Sequence, residues 1–80
     1  MLLYFTGCMI MYIRIRNLRE DKDLTQTDVA KALKMSQTGY SKYETGENDI
    51  PTQILIKLAI MHNTSVDYLL GLTGIKEPYK

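Results

Sequence analysis

The stretch "LTQTDVAKALKMSQTGYSKYETG", residues 24–46, decides how this chain folds. Thr25 can cap a helix, because its hydroxyl can accept from the free amides of a first turn, and Asp28 three positions later suits the positive end of that helix. Val29, Ala30 and Leu33 give the helix a buried side, and its pattern ends near Lys34. Ser36 is a natural cap for a further helix only two or three residues on. Two short helices joined so tightly cannot lie antiparallel as a hairpin. They must cross at a steep angle.

That crossing is the geometry of a helix-turn-helix unit, and the second helix has an unusual composition for an element that must pack. Residues 34–48 contain no Leu, Ile or Val, and beyond Met35 ahead of the cap their apolar mass is two tyrosines, with a glycine between cap and end. At about 100° per residue, Gln37, Thr38, Ser41 and Lys42 span about 140° of one face, while Gly39, Tyr40 and Tyr43 occupy the other. The tyrosines are therefore the expected core face. Opposite them lies a row of amide, hydroxyl and ammonium groups, residue types that can hydrogen-bond base edges or phosphates. A plain solvated surface is the competing reading of such a face.

Working outward, Met11, Ile15 and Leu18 fall at i, i+4 and i+7, so residues from about 11 to 22 read as an amphipathic helix with its arginines off the apolar stripe. "GENDIP" is turn material. Pro51 stands just ahead of another helix, Thr52 can cap it, and Ile54, Leu55, Leu58, Ala59 and Met61 furnish its buried side. Ser65 can cap a last short helix whose Val66, Leu69 and Leu70 are expected to point inward, with Gly71 placed to end it. The first thirteen residues carry no charge and are mostly apolar, yet they lack the basic start of a signal peptide and the roughly 20 apolar residues of a membrane span. Residues 1–10 read either as an extension upstream of the functional domain, with Met9 and Met11 at its edge, or as a packing or dimerisation arm. Residues 74–80 read as a C-terminal tail, in which Pro78 and the charged end beyond it are expected to fray.

Eighty residues allow one small domain that buries only a little over half of its unfolded surface, leaving little room for an enclosed active site. Net charge is only +1, but the charges are unevenly spread. Residues 14–42 hold seven Lys and Arg against four Asp and Glu, whereas 43–80 hold three against five, so the half containing the polar helix is the one that could face an anion. The single cysteine, Cys8, forms no internal disulfide and fits a reducing, cytoplasmic setting. There is no glycine-rich phosphate loop, and no paired His or Cys ligand set accompanies the lone His62, so neither catalysis nor a metal or other cofactor is expected.

Taken together, "LTQTDVAKALKMSQTGYSKYETGENDIP", "LIKLA" and "NTSVDYLLGLT" closely resemble the phage repressor and Cro type of helix-turn-helix proteins, the XRE-like family, from about Met11 to Thr73. The resemblance implies an all-α, compact five-helix domain over 11–73 whose third helix enters the major groove of double-stranded DNA while the second crosses above it. It implies further that Gln26 anchors a backbone phosphate at a helix amino terminus, that Gln37, Thr38 and Lys42 with Ser41 beside them face base edges, and that Asn48 contacts a phosphate. Arg19 and Glu44 resemble an ion pair tying the first helix to the end of the third. The function implied is a sequence-specific regulator, a repressor acting as a homodimer with Ile56 and Ile60 near the two-fold axis. The alternative is an antitoxin-like or interaction module whose main ligand is a protein. Three positions depart from the family's pattern: Lys34 stands where glycine is common, Gly39 replaces a hydroxyl or small branched residue and should admit a neighbouring helix or backbone, and His62 replaces a Leu or aromatic residue as a capping or packing group.

Overall fold

The computed structural model describes residues 12–78, so Met11, Cys8 and the expected 1–10 extension lie outside the described residues. Five helices follow one another: α1 (Ile13–Asp21), α2 (Gln26–Ala32), α3 (Gln37–Thr45), α4 (Thr52–Met61) and α5 (Val66–Leu69). No strand occurs among the described residues, and the class is all-α. The caps carry much of this local order. Thr25 Oγ1 accepts from the Asp28 amide at 3.0 Å while the Asp28 carboxylate accepts from the Thr25 amide at 2.9 Å, a complete capping box. The Thr25 backbone and hydroxyl together hold the Asp28 carboxyl below its usual range. Ser36 and Ser65 cap α3 and α5 through their side chains.

α4 starts differently from the sequence expectation. Pro51 itself is the cap residue, in an extended conformation, and Thr52 is already inside the helix with no side-chain cap bond. Proline's fixed φ supplies the entry angle, and the first-turn amides of α4 receive no side-chain cap.

The helices end by a common device. The residues just past the C-caps of α1, α2, α4 and α5, namely Asp23, Lys34, Asn63 and Gly71, all have positive φ. At each, the following amide reaches back to close the last turn: Leu24 to Arg19, Met35 to Ala30, Thr64 to Ala59 and Leu72 to Asp67. Lys34 thus keeps the left-handed turn, at φ 60°, although glycine would adopt it with less strain.

Chain reversals this tight bring every helix to one core. Tyr12, Ile15, Leu18, Val29, Ala30, Leu33, Tyr40, Ile50, Leu58, Ala59 and Leu69 are buried in it, with Ile54, Leu55, Met61 and Val66 packed at its edge. α2 packs on α3, α4 on α5, and α1 bridges α3 and α5. Of the two tyrosines on α3, Tyr40 is fully buried and Tyr43 only partly. Leu70 departs from expectation: it follows the last residue of the one-turn α5, about 100° round from the buried Leu69, and is exposed. Gly39 is also not where another helix approaches. A Cβ there would lie 3.1 Å from Met35 Cε and 3.1 Å from Ser36 Oγ, so glycine leaves room for the cap and for a methionine end.

Candidate nucleic-acid interface

The polar face of α3 takes its form from a chain of hydrogen bonds that begins in the core. Glu44, in the last turn of α3, is buried, and its side chain is 3% exposed. Arg19 of α1 approaches it with both arms of the guanidinium, Nε to Oε2 at 2.6 Å and Nη2 to Oε1 at 3.1 Å, and places its remaining arm on the Leu24 carbonyl at 2.9 Å. Burial pushes the Glu44 carboxyl up, but the bonds from Arg19 and Gln26 and the nearby Tyr40 hydroxyl outweigh it and hold the group below the usual carboxylate range. The same pairing raises Arg19, chiefly through its bond to Glu44. Tyr40 is pushed up first by burial and then by the Glu44 charge beside it.

From Glu44 the chain continues outward. Gln26 Nε2 donates to Glu44 Oε1 at 3.0 Å, and Gln37 Nε2 donates to Gln26 Oε1 at 2.6 Å. The direction of both bonds has one physical cause. An ionised carboxylate only accepts, so the end of the Gln26 amide facing it must be the NH₂ group. The Gln26 carbonyl then faces Gln37, and the Gln37 end that meets it must again be NH₂. Gln37, the first residue of α3, is thereby held with its carbonyl oxygen and its second amide proton free, on an exposed side chain.

The other expected site residues stand around this anchor. Thr38 and Lys42 are exposed on α3, and Ser41 is partly exposed beside them. Asn48 is exposed in the loop after α3, with its backbone amide bonded to the Lys42 carbonyl at 3.2 Å, which fixes the loop to the helix end. That loop leaves the helix through Gly46, whose φ of 84° makes the turn. Gln26 is only partly exposed, because two of its polar groups are already engaged inside the protein. Sequence reasoning paired Glu44 with Arg19 alone and missed its bond to Gln26. The only signal for that link was the recurrence of glutamine at the starts of two adjacent helices. Among the described residues no cluster of His, Cys, Asp or Glu could hold a metal ion, and no helix is long and apolar enough to cross a membrane.

A short helix crossed over a second one that carries exposed amide, hydroxyl and ammonium groups defines a helix-turn-helix domain. Comparison with known proteins agrees, since the family model described as Helix-turn-helix matches residues 15–69. The chain belongs to the Cro/C1-type, XRE-like helix-turn-helix family. It is 35% identical over 65 residues to the uncharacterized HTH-type transcriptional regulator YobD of Bacillus subtilis (strain 168), covering 81% of this chain and 58% of that one. It is 36% identical over 58 residues to the HTH-type transcriptional regulator ImmR of the same organism, covering 72% of this chain and 46% of the relative. The ImmF control region 10 kDa protein of Bacillus phage phi105 is 40% identical over 55 residues, 69% of this chain and 61% of its own length. The chain therefore matches about half to three fifths of the length of these relatives.

Proposed function

We propose that this protein is a sequence-specific regulator of transcription that binds double-stranded DNA in the cytoplasm as a homodimer, most simply as a repressor, with α3 in the major groove. The observation that carries the reading is the oriented Gln37 side chain. Adenine presents an acceptor at N7 and a donor at N6 in the major groove, and one amide can satisfy both. Gln37 has one amide proton and its carbonyl free, the complement of that edge, and the bond to Gln26 fixes them before DNA arrives. Preorganisation of this kind lowers the ordering cost of binding. Thr38, Ser41 and Lys42 face neighbouring base edges, and Gln26, with one amide proton left, and Asn48 hold the flanking phosphates. One such helix reads few base pairs, so a two-fold dimer on paired half-sites supplies the discrimination. A module whose main ligand is a protein would have no need for an oriented amide on the exposed face.

Selection of bound sites from random duplex DNA, followed by isotherms on the selected site and on a scrambled one, tests the proposal. Gln37→Ala should weaken the selected site by about 1–3 kcal/mol and relax preference at one adenine position. Gln26→Ala removes a phosphate contact and also frees the Gln37 amide that it orients, so it should weaken both duplexes and in addition reduce the preference at that adenine. Unchanged affinity and preference in both variants, with the fold intact, would make the face a solvated surface only.

A further inference from the structure

We propose that the cleft between the C-terminal ends of α1 and α4 and residues 76–78 binds a small organic dianion, carrying a phosphate or two carboxylates, through Lys22, His62 and Lys76. The cleft has a volume of about 330 Å³ and is lined by those three residues with Asn63, Glu77 and Pro78. That volume is at the lower end of the range for small-molecule sites, roughly 300–1,000 Å³. None of the lining residues belongs to α3 or to the Gln26–Gln37 chain, so the site stands independently of the DNA-reading proposal.

Three observations point to an anionic occupant. His62 is 2% exposed and lines the cleft, yet neither of its ring nitrogens has a hydrogen-bond partner. A neutral imidazole carries one N–H donor, and a buried polar ring without partners is costly unless something in the cleft meets it. Second, the acceptors that helix ends normally offer are already taken here. The carbonyls of Leu58, Ala59 and Ile60 receive the amides of His62, Thr64 and Asn63, and the Met61 carbonyl receives Lys22 Nζ at 2.9 Å. At the end of α1, Arg19 and Glu20 carbonyls receive the amides of residues 22 to 24. What remains uncommitted is mostly donor capacity: two protons on Lys22, the Lys76 ammonium and the imidazole N–H.

Third, the charges around the ring are arranged for the same outcome. Burial first, and then the Lys22 ammonium, push the His62 pKa down to about 4; Glu44 of α3 opposes them, and Lys76 adds a smaller push in the same direction as Lys22. Among the described residues neither Lys22 nor Lys76 belongs to an ion pair. The Thr64 hydroxyl donates to the Lys76 carbonyl and so ties the 76–78 segment to the chain just past α4, beside the cleft. Glu77 is the one carboxylate in the lining, and a dianion would have to outcompete it for the two ammoniums.

The chain has a single histidine, so its Cε1 proton reports on the cleft directly in a proton NMR spectrum of the full chain. Inorganic phosphate and succinate are titrated separately at pH 7, with sodium chloride at matched ionic strength as the reference. A saturable shift is expected with phosphate, succinate or both, which respectively assign a phosphate ester, a dicarboxylate or a general dianion. Saturation should also raise the His62 titration midpoint by about one pH unit, because a nearby negative charge favours the imidazolium. Lys76→Gln, an exposed change, should weaken the response about tenfold, the scale of one charged hydrogen bond, while leaving the melting temperature in chloride unchanged. Equal responses to all three salts would overturn the proposal, as would a saturable response unaltered in Lys76→Gln. A signal moved by duplex DNA and by neither free dianion would make the cleft a DNA backbone contact and also overturn it.

Discussion

Replacing Glu44 by alanine removes the acceptor from which the Gln26–Gln37 chain starts, and its cost follows from the surroundings of Arg19. The Arg19 side chain is 12% exposed and would keep one hydrogen bond, to the Leu24 carbonyl, and a long 4.0 Å ion pair with the half-exposed Glu20. Leaving a buried charge without its partner costs about 3–5 kcal/mol. The exposed Arg16–Glu20 pair, with both side chains about half exposed, is worth at most about 1 kcal/mol. A domain this small has a total stability of only about 3–10 kcal/mol. At roughly 4–8 °C per kcal/mol the melting temperature of Glu44→Ala should fall by some 15–30 °C. Replacing both charges, Arg19→Met with Glu44→Leu, should recover most of the loss, since a buried pair can be exchanged for well-packed apolar groups at little net cost. The recovered protein should still bind its DNA site several-fold more weakly, because nothing then orients Gln26 and Gln37. Urea unfolding of the wild type, Arg19→Met, Glu44→Leu and the double variant, followed by circular dichroism, gives the four corners of the cycle, and fluorescence anisotropy on a labelled site gives the affinities. Single effects of a few tenths of a kcal/mol that simply add in the double variant would refute the reasoning.

His62 ionises near 6.5 in an unfolded chain but only near 4 in the fold, so unfolding takes up a proton between those values. Stability should therefore fall as pH drops from about 6.5 to 4, by up to about 1.4 kcal/mol per unit, and this loss should level off below pH 4. His62→Leu should flatten that slope and leave the loss at lower pH where Glu44 protonates, which urea midpoints across the range would show. Lys34→Gly should raise stability by up to about 1 kcal/mol, because the left-handed turn at φ 60° is strained for a side chain and not for glycine; a lower melting temperature would mean that the lysine stem contributes contacts that outweigh the strain. Ile60 is 75% exposed and Ile56 46% exposed on α4, so Ile60→Lys should abolish self-association in sedimentation while leaving the melting temperature nearly unchanged. A wild-type chain that sediments as a monomer both free and on a palindromic duplex would exclude that interface.

What could be read from the sequence was whatever depends on neighbours along the chain. Thr25, Asp28, Ser36 and Ser65 cap their helices as their spacing indicates, because a cap involves only the first turn that follows it. The apolar stripes of α1, α2 and α4 were legible for the same reason. Errors arose where one residue's role depends on backbone geometry that periodicity does not encode. Leu70 continues the α5 pattern on paper, but the helix has already ended, and Thr52 looks like a cap until Pro51 takes that position. Gly39 suggests a close helix contact, while the space it leaves is filled by its own flanking residues.

The candidate site falls between these cases, and Gln26 shows why. From the sequence it is a polar residue at a helix start, equally suited to solvent or to phosphate. In the fold its amide lies between a buried carboxylate and an exposed glutamine 11 residues further along the chain. No local rule could give that placement, since it needs α1 to bring Arg19 to Glu44 and α2 to cross α3 at the right height. Once the carboxylate is placed, though, elementary chemistry determines the rest. A group that cannot donate forces one amide to turn its NH₂ inward, and that amide forces the next to do the same. The polar end that Gln37 offers to solvent is thus set by the ionisation state of a residue two helical turns away, so Glu44→Gln should alter the base preference of the interface as well as its stability.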